Sequence, residues 1–538
     1  MFSQPPNLSK RSLNTALETT AVRRRGLTVS SLLVGGLLMG LAPVNAWPAA
    51  WVALIPLWCL SHYPQQPVRQ TLAYAALWGI AYHGTALSWI TGLHPLMWMG
   101  VPWLGSVAIA LFAWVFITLW GAAIGMTWLG LMQAVSRWQP ITGGKRVLVG
   151  TALWCAVEWI WSQGPLYWTS LSYTQSPGNL VGLHLGQLSG PITVTAAIVA
   201  VNGLLAEAWY QRQLKNGSDK SGRFLSAAAV LFLSLHLLGF ALYSRPLADS
   251  PGEALAVGLI QGNIPTRQKL TGQGIETSWQ VYLEGYEKLA AEGADLVLTP
   301  EGAVPQVWNS FLQTHDRLQQ AVVKNGVPLV LGTFVHRQID NSQTPLTQSL
   351  LTLSPTGQVV GRYNKVKLVP LGEYLPFEAM LGAVIGRLSP VSASMVPGRF
   401  DQQLETPFGP VAAGICYEAA FAELYRQQVS RGGQAIFTAS NNDPYPPRQM
   451  RQHHAQDVMR AVETDRWEVR VTNTGISGVV DPHGRSRWLS APDQRVTHLA
   501  HIYRRQTHTP YVRWGDWLTP LLLLGALCGL LTVRAVSR

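Results

Sequence analysis

The chain has 538 residues, room for two or three domains, and 48% of them are hydrophobic against 13% charged, with 22 tryptophans. That balance excludes an ordinary soluble protein and suits one partly dissolved in lipid. The formal charge of +12 does not mark a nucleic-acid binder. No basic stripe interleaved with aromatics occurs, and the basic residues of the apolar half sit largely in short links between its runs. Four scattered cysteines, without CxxC or HExxH, give neither a disulfide framework nor a metal site, and no cofactor is implied.

Residues 1–22 are polar. Arg23, Arg24 and Arg25 then abut a first apolar run at 27–44. The run has features of a cleaved signal peptide, but its length and the immediate start of the next run at Trp47 favour a retained membrane segment. Further runs lie at about 47–61, 72–91, 101–135, 147–163, 190–209 and 224–243, with a last one at 516–533. Each can cross or nearly cross a hydrocarbon core of ~30 Å at about 1.5 Å per residue. The run 101–135 is long enough for two helices, and charge placement argues for one crossing. Arg69, then Arg137, Lys145 and Arg146, then Arg212, Lys215, Lys220 and Arg223 occupy alternate links, while 44–46, 92–100 and 164–189 hold no Lys or Arg. Eight spans are expected, with both termini cytoplasmic and the stretch after Tyr243 outside. The expected divisions are a tail at 1–26, a seven-span domain at 27–245, an extracytoplasmic domain at 246–510, and the eighth span with its tail at 511–538. Glu158, set among tryptophans inside a span, is expected to face the bundle interior as a structural partner. The link 163–189, with Tyr167, Trp168 and Tyr173, reads as an aromatic anchor at headgroup level.

Beyond residue 254 the pattern changes to short apolar strands separated by polar helical stretches. Strands are predicted at 254–261, 294–299, 328–334, 349–353, 411–415, 435–440, 469–473, 478–480 and 498–503. Helices are predicted at 276–292, 311–325 and 452–464, the first with Tyr282, Tyr286, Leu289 and Ala290 on one face. This alternation argues for a single layered α/β domain of about 250 residues.

Three residues of this half fall at or near strand ends, where α/β folds place their chemistry. Glu301 tips LVLTPEGAVP, Lys365 lies in GRYNKVKLVPLGEYLPF beside Lys367 and Glu373, and Cys416 ends GPVAAGICYE. The other cysteines, Cys59, Cys155 and Cys528, lie in apolar runs. A buried inert thiol is the plain reading of Cys416 alone. Together the three make a workable nucleophile set: the carboxylate takes the thiol proton, and the ammonium lowers the thiol pKa and holds an oxyanion. In an extended segment Lys367 shares a face with Lys365, so geometry leaves both open.

The motifs TPEG, Y-x-K-x-x-LVP-x-GEY-x-P, G-x-CYE, Ser440-Asn441 and VTNTGISGVVDPHG resemble the carbon–nitrogen hydrolase (nitrilase) superfamily. With seven spans before the domain and one after, the chain resembles the apolipoprotein N-acyltransferase family. The resemblance implies an αββα sandwich on an eight-helix membrane bundle, with its site at the outer face of a bacterial plasma membrane. It implies Glu301 as general base, Lys365 as the oxyanion lysine in preference to Lys367, and Cys416 as the acyl-accepting nucleophile. Glu373 and Glu418 match accessory glutamates, and Tyr417 a position beside the nucleophile. Implied partners are a phospholipid acyl donor and a diacylglyceryl apolipoprotein acceptor; a monomer is expected. The chain departs from the family at Lys367, where His is common, at 442–447, where an aromatic-glycine loop is usual, and at Leu270, where Trp is frequent. The apolar stretch 376–396 reads as a lid or membrane-dipping arm. Two other functions fit less well: a tethered amidase or nitrilase, and a transporter or sensor with a catalytically dead domain.

Overall fold

The computed structural model describes residues 10–536 apart from 215–217, 339, 340, 343, 371, 375–394 and 444. The arm expected at 376–396 therefore lies outside the described residues, except for Met395 and Val396.

Helices Lys10–Asn45, Val68–Ala86, Trp103–Trp138, Gly143–Gln163, Pro191–Gln213, Ser218–Tyr243 and Leu518–Val536 form one bundle. Trp103–Trp138 is uninterrupted, so the long run is one helix, as charge placement argued. Among the described residues, Gly26–Asn45, Trp103–Trp138, Pro191–Gln213 and Asp219–Tyr243, four of the expected eight spans, are long and apolar enough to cross a membrane. The expected second span is instead the short pieces Trp47–Ala49, Ala50–Ala53 and Ile55–Leu60. Pro48 and Pro56 sit in the first turns of the first and last pieces, where a residue without an N–H starts a helix but cannot continue one. The apolar part of the last helix, Leu518–Thr532, is likewise short. Helix Pro191–Gln213 is the pivot: 78% of its apolar window is buried, against 17–39% in the other three.

Tryptophans fill the space around that pivot. Trp58 meets Trp128 edge to face at 4.9 Å, and Trp128 meets Trp154 at 5.4 Å. Trp128 Nε1 donates to Gly150 O at 2.8 Å, and a Cβ on Gly150 would stand 2.1 Å from the Trp58 ring, so only glycine fits there. The first helix is a packed member of the bundle. A Cβ on Gly36 would meet Trp78 O at 2.3 Å, and Gly40 closes equally on Tyr82 and Thr85, the close approach that a small-xxx-small pair permits. Glu158 faces inward as expected, accepting from Ser170 Oγ at 2.6 Å and Thr195 Oγ1 at 2.8 Å.

Among the described residues the second half contains twelve strands: β1 (Ala254–Gln261), β2 (Leu296–Leu298), β3 (Val307–Trp308), β4 (Leu329–His336), β5 (Leu346–Leu353), β6 (Val359–Asn364), β7 (Ala412–Ile415), β8 (Ile436–Ser440), β9 (Glu468–Thr472), β10 (Gly478–Val480), β11 (Ser486–Leu489) and β12 (Val496–Tyr503). One sheet runs β12-β1-β2-β4-β5-β6 with β3 beside β4; the other runs β11-β10-β9-β8-β7. Alternate apolar side chains of the two sheets, among them Val257, Leu298, Ile415, Phe437 and Val469, make a shared core. Helices Gly272–Ala291 and Arg317–Asn325 cover the outside of the first sheet through Tyr282, Tyr286, Leu289, Leu318 and Val322. Helices Ala422–Ser430 and Pro447–Thr464 cover the outside of the second. The result is a four-layer αββα sandwich.

Nine predicted strands are present. The missed ones, β3, β6 and β11, are a two-residue bridge and two sheet edges whose residues are largely part-exposed and include Arg362 and Arg487, so they show no apolar run. The helix expected at 311–325 is two, Ser310–His315 and Arg317–Asn325, because Asp316 Oδ1 accepts from Leu318 N at 3.0 Å and caps a fresh start. The link 163–189 is not a lipid-facing anchor. Trp168 and Tyr173 are buried, and the link forms a ledge under the sandwich. Its side chains share one apolar core with Leu424, Tyr425, Val458 and Val462 of the sandwich's outer helices.

Candidate active site

Glu301, Lys365 and Cys416 follow three different strands, and the fold brings them together at one end of the sandwich. Glu301 sits in the turn after β2, which is fixed from both sides: Gly332 N donates to Thr299 Oγ1 at 3.0 Å, and buried Lys269 Nζ donates to Glu301 O at 3.1 Å. Lys365 follows β6 and is completely buried. Its Nζ donates to Glu301 Oε1 at 2.9 Å, to Glu373 Oε1 at 2.5 Å and to Gln348 Oε1 at 3.4 Å. Burial opposes the ammonium charge, but Glu301, Glu373 and the facing Cys416 outweigh it and hold Lys365 well above its usual range. Of the two carboxyls, burial and the neighbouring Glu301 charge push Glu373 upward, against the pull of Lys365.

Lys367 goes elsewhere. The chain bends after Lys365 instead of staying extended, so the two lysines part. Lys367 Nζ lies 4.6 Å from the centre of the Phe421 ring and donates to Gln163 O at 3.3 Å. The alternative left open by spacing is thereby resolved in favour of Lys365 as the lysine among the carboxylates.

Cys416 ends β7 and opens a short 3-10 helix, Cys416–Ala420. Its φ is +52°, the left-handed region that an L residue enters only where its surroundings impose it. The residue is half-buried, and its thiol donates to Asn441 O at 3.8 Å. Burial and the Glu301 and Glu373 charges push it up to about 12, with Lys365 pulling the other way. The resting group is therefore a neutral thiol that needs a base at the moment of attack.

Glu418, fully buried, clasps two strand ends together. Oε2 accepts from Ile415 N at 2.7 Å and Tyr363 Oη at 2.9 Å; Oε1 accepts from Val366 N at 2.6 Å and Lys367 N at 3.0 Å. Burial pushes its carboxyl up to about 7 against those bonds. Tyr417 ties the same turn to the ledge: its hydroxyl accepts from Tyr167 N at 2.9 Å and donates to Pro165 O at 2.7 Å, and its ring stacks on Trp168. Gln348, Lys269, Asn441 and His453 also border the cluster, and none was singled out as a site residue from the sequence. Gln348 is one polar residue on a buried strand and His453 one of a His-His pair on a helix, and neither carries a spacing signal.

Comparison with known proteins sets this geometry in a family. The carbon–nitrogen hydrolase profile matches residues 256–501, and the apolipoprotein N-acyltransferase N-terminal domain profile matches 35–204. The chain is 49% identical over 490 residues to an apolipoprotein N-acyltransferase of Nostoc sp., covering 90% of this chain and 95% of that one. The chain belongs to the apolipoprotein N-acyltransferase family. Identity is 42% over 512 residues to the Synechocystis sp. member and 44% over 490 residues to that of Thermosynechococcus vestitus. As a member of the apolipoprotein N-acyltransferase family it is an acyltransferase, and one profile match lies within the bundle and the other within the sandwich.

Two outcomes follow from the site. Alkylation of Cys416 by iodoacetamide, followed by peptide mass spectrometry, should speed up about tenfold per pH unit from pH 6 to 9, because the neutral thiol is the resting form and each unit multiplies the small thiolate fraction. A plateau below pH 8 would mean a preformed thiolate. Glu418→Gln places an amide against backbone N–H donors, which costs about 1–3 kcal/mol. It should also lower acyl transfer about 100-fold by displacing the nucleophile turn, read as a lowered unfolding midpoint together with lost turnover.

Proposed function

We propose that this acyltransferase moves an acyl chain from a membrane phospholipid to the α-amino group of a diacylglyceryl-cysteine at the N-terminus of an apolipoprotein, with Cys416 as the carrier. Cys416 Sγ attacks the phospholipid ester while Glu301 takes the thiol proton, and Lys365 with the Tyr417 N–H holds the oxyanion. Collapse of the tetrahedral intermediate breaks the ester C–O bond. Glu301 returns the proton to the departing lysophospholipid oxygen, leaving a thioester. The acceptor amine then attacks that thioester, Glu301 removes an amine proton and passes it to the departing Cys416 Sγ, and the C–S bond breaks to give the amide and the free thiol. Glu373 shares the Lys365 charge and Glu418 keeps the strands in place. The observation that carries this reading is the buried Lys365 ammonium bound to Glu301 and Glu373 in electrostatic contact with Cys416, in a chain of this family.

The finer membrane arrangement is part of the same proposal. Eight segments traverse the bilayer, the short ones included, both termini are cytoplasmic, and the sandwich lies on the outer face of a bacterial plasma membrane. The alternation of basic and charge-free links supports this. Both lipid substrates then meet the site from the outer leaflet, and the enzyme acts as a monomer.

Incubation with phospholipid should add one acyl chain to the Cys416 peptide, removable by hydroxylamine, with matching release of lysophospholipid; a synthetic diacylated lipopeptide should then gain that mass. Cys416→Ser should show neither event, and Glu301→Gln or Lys365→Met should reduce both by about 10³-fold. Hydrolysis of a small amide without an acyl-lipopeptide product would favour the tethered amidase instead. Reporter fusions should read as external after residue 245 and cytoplasmic after residue 536; the opposite pattern would overturn the orientation.

A further inference from the structure

His453 lies on helix Pro447–Thr464, outside the three-residue set, and is buried. Its Nε2 stands 2.7 Å from Cys416 O. A carbonyl only accepts, so Nε2 carries the hydrogen. Its Nδ1 faces Asn442 Nδ2 at 3.0 Å, an amide nitrogen that only donates, so Nδ1 is the acceptor and the ring is a single neutral tautomer. Asn442 is itself held by Gln449 Oε1 at 2.9 Å, and Trp168 packs on the imidazole at 5.6 Å. Burial, with Arg470, Lys365 and His454 nearby, holds the imidazole well below its usual range, so it is neutral at working pH.

The carbonyl that His453 grips belongs to the Cys416–Tyr417 peptide. In a trans peptide the C=O and the N–H point in opposite directions. Fixing one therefore aims the other. The Tyr417 N–H lies in the first turn of a helix, where no intrahelical carbonyl is available to it. A hydrogen bond to the carbonyl also polarises the peptide and makes its N–H a better donor. The left-handed φ of Cys416 means that this peptide plane is imposed from outside, and His453 is a side chain placed to impose it.

We infer that His453 is a positioning residue for acyl transfer: its imidazole holds the Cys416–Tyr417 peptide so that the Tyr417 N–H faces the oxyanion. The inference rests on the thioester mechanism proposed above and concerns both half-reactions, since each passes through a tetrahedral oxyanion. Loss of an oxyanion donor costs roughly 10²–10³-fold in rate, and a misaimed one somewhat less. Alkylation of the thiol by iodoacetamide forms no oxyanion and is indifferent to the Tyr417 N–H.

The test uses the full-length enzyme in phospholipid bilayers, with lysophospholipid release and iodoacetamide labelling of Cys416 measured side by side. His453→Leu should slow lysophospholipid release about 30–100-fold while labelling stays within about twofold. His453→Gln, which returns an N–H donor, should recover most of the rate. Equal slowing of both readouts would reduce His453 to structural support and overturn the inference, as would His453→Leu within about threefold of wild type in release. Should His453→Leu not fold, Asn442→Asp decides. A carboxylate there draws the hydrogen to Nδ1, so Nε2 donates only as imidazolium, and acyl transfer should acquire a new decline as pH rises through the imidazole pKa. An unchanged pH profile in that variant would also overturn the inference. Absence of any thioester in the wild type would instead be a failure of the proposed mechanism.

Discussion

A single buried ammonium governs the second half of this chain. Taking Lys365 out of water is expensive, and the expense is offset only while Glu301 and Glu373 stay within bonding distance of it. Those carboxyls arrive from the turn after β2 and from the loop beyond β6, so the charge cluster is also a geometric tie between remote parts of the polymer. The two-sheet core sets the strand ends, and the cluster then has a narrow range of positions in which every charge is matched. Cys416 faces this cluster from the second sheet, and burial, together with the Glu301 and Glu373 charges, pushes its thiol upward against the pull of Lys365.

The nucleophile turn is gripped from two directions. Glu418 reaches back from the turn to the ends of β6 and β7, which sets the distance between thiol and ammonium. Tyr417 and His453 reach the other way, to the ledge at 163–189 and to the helix that rests on the bundle. Gln452, the residue beside His453, accepts from Trp89 Nε1 and Trp168 Nε1 and donates to Ala86 O. The membrane half is therefore part of the mechanical support of the site.

Much of this was legible in the residues. Apolar runs bounded by turn signals located nine strands, and the motifs around Glu301, Lys365 and Cys416 marked the three groups that the fold brings together. What escaped has physical reasons. Edge strands such as β6 and β11 carry arginines and part-exposed positions, so their pairing leaves no apolar period. The two lysines of NKVK were indistinguishable because side-chain direction depends on a bend after Lys365 that spacing does not encode. The ledge looked like a headgroup anchor because tryptophan and tyrosine serve lipid interfaces and buried protein contacts equally well. Composition likewise marked apolar runs without revealing that prolines would break 47–61 into short pieces. His453 was silent because its importance lies in a hydrogen bond to a backbone atom 37 residues away.

One continuous apolar core, running from Leu32 and Trp58 through Tyr173 to Leu424 and Val462, joins the bundle to the outer helices of the sandwich. Excising the sandwich would bare that seam to water and strip the nucleophile turn of its underlay. The outer helices of this sandwich are already covered by the bundle. Anchorage and reactivity were thus built as one object, and a water-soluble catalytic fragment is not available to this architecture.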